Sequence, residues 1–253
     1  MKKEIHIFFT ALMFFTRIPC PKWINHEPTY LQKSSKYFPL VGTIVGSIGA
    51  VFFYISNLIF SIDISLLISI ISTIYATAGF HEDGFADVCD GFGGGWTKEK
   101  ILHIMKDSRL GTYGVCGLVL ILGIKFSALR EMAPEQIPLV IISGHTLSRF
   151  IATTLLYTHA YVRDDSTSKI KPTAKNMKIS QLLIAGIFGI LPLLVFQSFW
   201  VFLVLIPAYV SKMFLGRKFK KWIGGQTGDC AGAVQQVSEV IIYLSLIILW
   251  KFI

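Results

Sequence analysis

The chain has 253 residues, of which 53% are hydrophobic and 15% are charged, and its formal net charge is +9. A soluble domain carries roughly 25% charged residues, so this composition excludes an ordinary soluble protein. Several apolar runs approach or exceed the roughly 18 residues expected of a membrane span. We therefore predict an all-α polytopic integral membrane protein, with one transmembrane domain over residues 1–253.

The apolar runs predict one N-terminal helix and about seven transmembrane helices. The first run, from Ile5 to Thr16, is too short to span a bilayer, so we expect an interfacial or re-entrant helix. Lys125, near the far end of the third span, is expected to extend towards the membrane interface. The seven predicted spans cover approximately residues 38–60, 64–80, 113–129, 137–157, 182–196, 199–215 and 237–253.

Basic residues are concentrated in alternate loops. Loops 17–37, 81–112, 159–180 and 216–236 contain four, four, five and four Lys or Arg, and the other loops contain almost none. The positive-inside rule therefore places these four loops in the cytoplasm. Basic loops beside a membrane contact anionic lipid headgroups. Their distribution argues for membrane lipid, and against nucleic acid, as the partner of the excess positive charge.

One long polar stretch, residues 79–114, interrupts the apolar chain. It holds six of the fifteen carboxylates, and Asp83, Asp87 and Asp90 are spaced so that they share one stripe of a helix. Carboxylates held this close repel one another unless a cation lies between them, which predicts a Mg²⁺ site. A solvated acidic helix end is the alternative, but the surrounding glycines and the basic chain favour a site. The predicted metal ligands are Glu82, Asp83, Asp87 and Asp90.

Two residues of this stretch are candidates for proton transfer. Asp90 is expected to be either a metal ligand or a general base. His81 is the second candidate, although a regular helix would turn it about 160° away from Asp83. It could act as a base only if the chain is irregular there or another element folds over it. The four cysteines form no C-x-x-C pair, so the sequence predicts neither a zinc site nor a disulfide framework.

Three further groups of polar residues are candidates for binding substrate phosphates. Lys106, Asp107 and Arg109 form one cluster, in which the arginine fork suits a phosphate. Arg149 lies inside the fourth predicted span, where a carboxylate or a substrate anion is expected to compensate its charge. The alternatives are a headgroup contact for Arg109 and a structural ion pair for Arg149. A glycine-rich segment before the last span can present backbone N–H groups to a phosphate, with candidates Gly225, Thr227 and Asp229.

Five further segments stand in order along nearly the whole chain: FFTRIP at 14–19, YFPLVG at 37–42, GFHEDGFADVCDG at 79–91, IMKDSRLGTYG at 104–114 and GGQTGDCAGA at 224–233. Together they resemble the cobalamin synthase family, the adenosylcobinamide-GDP ribazoletransferases. The two central segments are the most specific. Ala78 stands where this family more usually has the first of two glycines.

The resemblance implies transfer of the cobinamide-phosphate part of adenosylcobinamide-GDP to α-ribazole or α-ribazole 5′-phosphate. GMP is released and adenosylcobalamin, or its 5′-phosphate, is formed in the last steps of cobalamin biosynthesis. The resemblance also implies Mg²⁺ as cofactor and the cytoplasmic (inner) membrane of a prokaryote as the location. The active site is then expected to face the cytoplasm, and the sequence leaves the oligomeric state open.

Two other classes of protein are alternatives. A CDP-alcohol phosphotransferase of phospholipid synthesis has a motif that begins D-x-x-D-G-x-x-Ala-Arg. Asp87, Asp90 and Gly91 fit its first half, but Gly94 and Gly95 replace the Ala-Arg pair. A cation transporter would place its ligands near the middle of the bilayer, often between repeated halves. The predicted carboxylates instead lie at the cytoplasmic boundary of a span, and no repeat is evident.

Overall fold

The computed structural model describes residues 2–25, 27–163 and 177–252. Residues 164–176, which make up the middle of the predicted basic loop 159–180, lie outside the described residues. Within the described ranges the secondary structure is helical, and one isolated bridge joins Tyr161 to Gln226. The α-helices are α1 Lys2–Phe15, α2 Pro28–Ser34, α3 Phe38–Asn57, α4 Ile62–Thr77, α5 Phe80–Gly94, α6 Lys98–Ile104, α7 Thr112–Arg130, α8 Ile137–Thr158, α9 Ile179–Ile190, α10 Leu205–Ile223 and α11 Gly228–Trp250.

The helices confirm a polytopic all-α membrane protein. In the described part of the chain, six helices are long and apolar enough to cross a membrane, or seven if α4 and α5 form one bent span. α1 has 14 residues and is shorter than any of them. The candidate spans are Thr29–Asn57, Thr112–Arg130, Ile137–Thr158, Ile179–Phe196, Phe199–Ile223 and Gly228–Trp250, and the bent pair is Ile62–Thr77 with Phe80–Gly94.

The largest difference from the predicted spans concerns the segment 216–236, which was expected to be a polar connection. In the structure α10 continues to Ile223, and α11 already begins at Gly228. Two buried glutamines, Gln235 and Gln236, lie inside α11 and bond other polar side chains of the bundle interior. Hydropathy alone cannot distinguish such a helix from a loop, because buried polar residues lower it in the same way.

The acidic segment forms its own helix, α5, which is bent by 88° from α4. The bend lies at Ala78 and Gly79, which both have left-handed backbone conformations with φ of 58° and 67°. The N–H of Gly79 donates to the carbonyl of Ile74 at 2.9 Å, so the turn closes the end of α4. This sharp turn directs α5 away from the axis of α4.

Ala78→Gly is expected to stabilise the protein. A non-glycine residue in the left-handed region costs roughly 1–2 kcal/mol, and glycine occupies that region freely. The greater backbone freedom of glycine in the unfolded chain offsets part of this gain. The expected net result is a small rise in the apparent unfolding temperature in detergent. A fall in that temperature would contradict a strained Ala78.

Close helix packing places α5 against α11. A Cβ atom added at Gly84 would lie 3.0 Å from Cα of Asp229, and one added at Gly232 would lie 3.2 Å from the carbonyl oxygen of His81. The two glycines therefore allow the backbones of α5 and α11 to approach closely. This approach brings the first turn of α11, with Asp229, to the acidic stripe of α5.

The N-terminal helix α1 covers the start of α5. Phe15 stacks on Phe38 of α3 with ring centroids 4.2 Å apart, and it meets Phe80 of α5 edge-on at 5.9 Å. Phe14 also contacts Phe80 edge-on, at 5.6 Å. These aromatic contacts fix α1 over the junction of α3 and α5, where it forms one wall of the site described next.

Candidate functional site

Four charged side chains gather where α5, α11 and the chain after α8 meet. Asp83 is exposed and Asp87 is half-buried on α5, and Asp229 on α11 lies opposite them. Nη2 of Arg163 donates to Oδ2 of Asp229 at 2.6 Å and to the carbonyl of Met105 at 3.1 Å. We call Asp83, Asp87, Asp229 and Arg163 the acidic centre.

The acidic centre carries more negative than positive charge. Asp87 lies within electrostatic range of Asp229, Asp83 and Asp90, whereas Arg163 is the cation near it. In the described part of the chain, no three His, Cys, Asp or Glu side chains are grouped closely enough to hold a metal ion by themselves. Carboxylate oxygens are nevertheless the donors that Mg²⁺ prefers, and substrate phosphates commonly complete its ligand set. The residues present therefore fit a divalent cation that is shared with a phosphate.

Two cavities meet at Asp83. The first, which we call the aromatic cavity, has a volume of about 190 Å³. The second, which we call the polar cavity, has a volume of about 560 Å³ and is bordered by Asp83, Asp87, Ser108 and Arg109. A group bound in either cavity is therefore close to the same carboxylate. The aromatic cavity is lined by Phe14, Phe15, Phe38, Phe80, His81, Asp83, Leu156, Tyr161, Arg163, Gly228, Asp229, Ala231 and Gly232.

Asp90 occupies a position different from that expected of a free ligand or base. It is 9% exposed, and its two carboxylate oxygens accept hydrogen bonds from the N–H groups of Gly111 at 2.7 Å and Gly114 at 2.8 Å. Both amides belong to the start of α7, where N–H groups have no partner within the helix. A Cβ at either glycine would contact the Asp90 carboxylate. Asp90 therefore caps α7 from the neighbouring helix.

Asp90→Ala is expected to destabilise the protein by about 1–3 kcal/mol, because two N–H groups at the start of α7 lose their acceptor. Asp90→Asn retains one acceptor oxygen and should be affected less. Thermal unfolding in detergent measures both effects, and the Mg²⁺ requirement of the remaining activity should stay unchanged. An Asp90→Ala variant that is fully stable but inactive would instead support the ligand or base role.

The predicted phosphate-binding cluster lies on the loop between α6 and α7. Arg109 is exposed and forms a two-pronged pair with Asp107, with an Nη2 to Oδ2 distance of 2.6 Å. Hydrogen bonding from Arg109 lowers the pKa of Asp107 to about 2, so the pair is charged at neutral pH. Arg109 borders the polar cavity, whereas Lys106 is exposed beside the pair. A phosphate in the polar cavity would compete with Asp107 for this guanidinium.

The comparison with known proteins identifies the family. A family model described as cobalamin-5-phosphate synthase matches residues 7–247. The chain belongs to the cobalamin-5-phosphate synthase family. A Shewanella frigidimarina protein named adenosylcobinamide-GDP ribazoletransferase is 44% identical over 97% of this chain and 95% of its own length. A Shewanella amazonensis protein of the same name is 42% identical over 99% of this chain and 98% of its own length. No solved structure matches the chain significantly.

Two other residues of the acidic segment, Glu82 and His81, lie outside the acidic centre of this synthase-family chain. Oε1 of Glu82 accepts from Nε2 of Gln236 at 2.9 Å, and its Oε2 is buried without a partner in the described part of the chain. Glu82 therefore faces the bundle interior, which differs from the position expected of a metal ligand beside Asp83. His81 is 1% exposed and lies under α1, near the rings of Phe15 and Phe38. Its catalytic role stays a prediction.

The glycine-rich segment of this chain, residues 224–233, positions side chains through its backbone hydrogen bonds. The N–H of Gln226 donates to the carbonyl of Ala160 at 2.8 Å, and the N–H of Val162 donates to the carbonyl of Gln226 at 3.0 Å. A Cβ at Gly225 would collide with the Ala160 carbonyl. This pairing places Arg163, the next residue after Val162, opposite Asp229. The phosphate contacts predicted for Gly225 thus stay a prediction, whereas its packing role is direct.

Thr227 caps α11 and contacts the acidic centre. It is fully buried, and its hydroxyl oxygen accepts from the N–H of Cys230 at 3.3 Å. The same hydroxyl lies 3.3 Å from Oδ2 of Asp229 as a donor. An N-cap of this kind fixes the first helical turn. Thr227 therefore helps to hold Asp229 in place.

Arg149 belongs to a polar cluster in the interior of the bundle. It is 1% exposed, and its Nη1 donates to Nδ1 of His145 at 3.0 Å and to the His145 carbonyl at 2.9 Å. Glu239 and Glu82 are the acids within its electrostatic range. The predicted compensation by carboxylates agrees with this position. Its predicted contact with substrate stays a prediction.

The expectation that Lys125 extends towards the membrane interface is wrong. The side chain is 3% exposed, and its Nζ lies 3.1 Å from Oε1 of Glu239, which is fully buried. The same carboxylate accepts from Tyr243 at 3.0 Å and from Gln235 at 2.6 Å. The lysine therefore points into the bundle instead of towards the interface, because a charge in a membrane is stabilised most by a buried counter-ion.

The main residue that the sequence interpretation missed is Arg163. It was included only in a count of basic loop residues, and nothing local in the sequence marks it as the partner of Asp229. The available signal was its place six residues after the end of the fourth predicted span (137–157), beside the predicted cytoplasmic site. Glu239, inside the last predicted span, and Gln236, at its border, were also missed, although a polar residue inside an apolar run is itself a signal.

Proposed function

We propose that this protein transfers the cobinamide-phosphate part of adenosylcobinamide-GDP to α-ribazole or α-ribazole 5′-phosphate. The products are GMP and adenosylcobalamin or its 5′-phosphate. The family, the names of the relatives and the five ordered segments support this activity. The family membership also decides against the CDP-alcohol phosphotransferase and the cation transporter considered from the sequence.

In the proposed reaction a ribose hydroxyl of the acceptor attacks the phosphorus next to cobinamide. A new phosphorus–oxygen bond forms, the bond from that phosphorus to the bridging oxygen of the diphosphate breaks, and GMP leaves with that oxygen. The hydroxyl proton passes to a carboxylate. Because the 5′-phosphate of a phosphorylated acceptor is retained in the product, the attacking oxygen is a hydroxyl of the ribose ring.

The observation that carries this proposal is the position of Asp83 between two cavities. An acceptor in the aromatic cavity and a diphosphate in the polar cavity would meet at its carboxylate. Asp83 is the exposed acid of the acidic centre, so its carboxylate is open to both cavities. Arg109 borders the polar cavity and can donate two parallel hydrogen bonds to the leaving phosphate.

We assign the cofactor Mg²⁺ to Asp83, Asp87 and Asp229. A metal bound there would neutralise charge on the diphosphate oxygens. Arg163 keeps Asp229 in place, and its buried Nε has no hydrogen-bond partner among the residues that the structure describes. That N–H is available to a phosphate oxygen of the acceptor.

We place the protein in the inner membrane, and the basic loops support a site on its cytoplasmic face. Labelling with a membrane-impermeant amine reagent tests this orientation at the exposed Lys106. Modification is expected in inverted vesicles and not in right-side-out vesicles. The opposite pattern would overturn the proposed orientation.

The decisive assay follows GMP release by purified protein in lipid vesicles supplied with adenosylcobinamide-GDP and α-ribazole. With Mg²⁺ present we expect release that depends on both substrates, and removal of divalent cations by EDTA should abolish it. Addition of excess Mg²⁺ should restore the rate. Undiminished release in EDTA would exclude the metal, and no release under any condition would exclude the transfer reaction.

A further inference from the structure

The aromatic cavity is enclosed by flat side chains on several sides. The rings of Phe15 and Phe38 stack at 4.2 Å, and the His81 ring lies nearly parallel to both, at interplanar angles of 19° and 17°. Phe80 meets His81 edge-on at 5.4 Å. Such walls suit a flat apolar ring system, because aromatic pairs prefer stacked or edge-to-face contacts.

One buried polar atom in this wall lacks a partner among the described residues. His81 is 1% exposed, and its Nε2 makes no hydrogen bond within residues 2–25, 27–163 and 177–252. A buried polar group without a partner is costly, and each such group in a folded protein needs an explanation. Because His81 lines the cavity, a bound ligand with one suitably placed acceptor would satisfy it.

The size of the cavity limits what it can hold. A volume of about 190 Å³ is below the roughly 300 Å³ at which pockets for drug-sized ligands begin. It therefore suits a single two-ring system better than a whole nucleoside. Asp83, Asp229 and Arg163 lie at the same cavity, so a sugar attached to that ring system would extend towards the acidic centre.

The chemistry of the walls distinguishes between the heteroaromatic bases of the two substrates. Guanine carries amide and amino groups along its edge, and the apolar end of the cavity, at Phe14, Phe15, Phe38 and Leu156, offers them no hydrogen bond. Guanine could pair only at the other end, where Asp83, Asp229 and Arg163 would then be taken up by the base instead of by the reacting groups. The base of α-ribazole has, once attached to ribose, one free ring nitrogen and an otherwise apolar edge. It matches the apolar end of the cavity, where His81 can offer one N–H donor from Nε2.

We infer that the aromatic cavity is the binding site for the base of the acceptor nucleoside, with its free ring nitrogen accepting from Nε2 of His81. This inference rests on the proposed transfer reaction, and it adds the site that selects the acceptor. The ribose then lies beside Asp83, between the base and the polar cavity. His81 acts in binding, which explains why its ring is held by α1 and α3 instead of facing the acidic stripe.

Two variants test the inference by different routes. His81→Phe keeps a ring in the wall and removes the donor. Gly228→Leu places a side chain at the cavity, where an added Cβ meets no atom within 4 Å, so the fold should tolerate it. Gly123→Leu is the matched control, because Gly123 on α7 has the same open surroundings and does not line the cavity.

Two quantities are measured. The first is KM for each substrate, and the second is the calorimetric binding of α-ribazole in the absence of adenosylcobinamide-GDP. His81→Phe should raise KM for α-ribazole about tenfold, as expected when one hydrogen bond of about 1.4 kcal/mol is lost. Gly228→Leu should raise the same KM at least as much, because its side chain occupies space that the base needs. KM for adenosylcobinamide-GDP should stay within about twofold, and Gly123→Leu should leave both constants unchanged. If His81→Phe fails to fold, Gly228→Leu still tests the site.

The outcomes separate this inference from the proposed reaction. Normal KM values for α-ribazole in both active variants would overturn the inference and leave the reaction intact. A rise only in the KM for adenosylcobinamide-GDP would assign the cavity to a base of that substrate, and it would also overturn the inference. If wild-type protein released no GMP but bound α-ribazole, and Gly228→Leu weakened that binding, the site would be supported while the reaction failed.

Discussion

Asp83→Asn and Asp87→Asn are each expected to lower the rate of GMP release by about 10²–10³-fold. Loss of one electrostatic contact to the reacting groups typically has this effect. The two carboxylates face the same polar cavity, and each amide removes one negative charge and one strong oxygen ligand while it keeps the side-chain shape. The apparent Mg²⁺ affinity should fall in both variants, because fewer carboxylates remain to hold the ion.

The same variants should be at least as stable as the wild type. Asp87 is half-buried among Asp83, Asp90 and Asp229, with Arg163 as the nearby cation. Removing one of several like charges relieves repulsion, so the apparent unfolding temperature without Mg²⁺ should stay the same or rise. Sites built for function commonly carry such a stability cost.

Asp63→Asn is the matched control for charge removal. Asp63 is exposed at the other end of α4 and pairs with Arg130, so its loss should change neither the rate nor the Mg²⁺ dependence. Near-normal activity in both Asp83→Asn and Asp87→Asn would contradict the assignment of Mg²⁺ to these carboxylates. A loss of activity together with unfolding would instead indicate a structural role.

The spans could be predicted because a long apolar run has few alternatives in a membrane. α3, α4, α7 and α8 begin and end within a few residues of the predicted limits. The long α11 could not be predicted, because its first turns contain buried polar residues whose partners are on other helices. The bend before α5 was equally hidden, since Ala78 is not a residue that favours a left-handed conformation.

The candidate site could also be predicted only in part from the sequence. The spacing of Asp83 and Asp87 is a local property, and a helix necessarily places them on one face. Asp229 and Arg163 join them only through the α5–α11 crossing at Gly84 and the backbone pairing at Gln226. Asp90 illustrates the limit of the stripe argument: it lies on the same face, but its oxygens are already bound by the start of α7.

Lys125→Met is expected to destabilise the protein by about 3–5 kcal/mol, the usual effect of removing one partner of a buried ion pair. The variant leaves Glu239 fully buried, with Tyr243, Gln235 and the more distant His145 as its remaining neighbours. The apparent unfolding temperature in detergent should fall by roughly 10 °C for a chain of this size.

Arg130→Met is the matched control, because it breaks an exposed pair with Asp63 that is worth no more than about 1 kcal/mol.

The double variant Lys125→Met/Glu239→Gln separates a charge effect from a loss of packing. Lys125, Arg149, Glu239 and Glu82 together carry two positive and two negative charges, so each single variant leaves one charge of the cluster uncompensated. The double variant restores the balance and should recover most of the lost stability, which gives a coupling free energy between the two sites. A double variant as unstable as the sum of the single variants would show that the pair is not coupled.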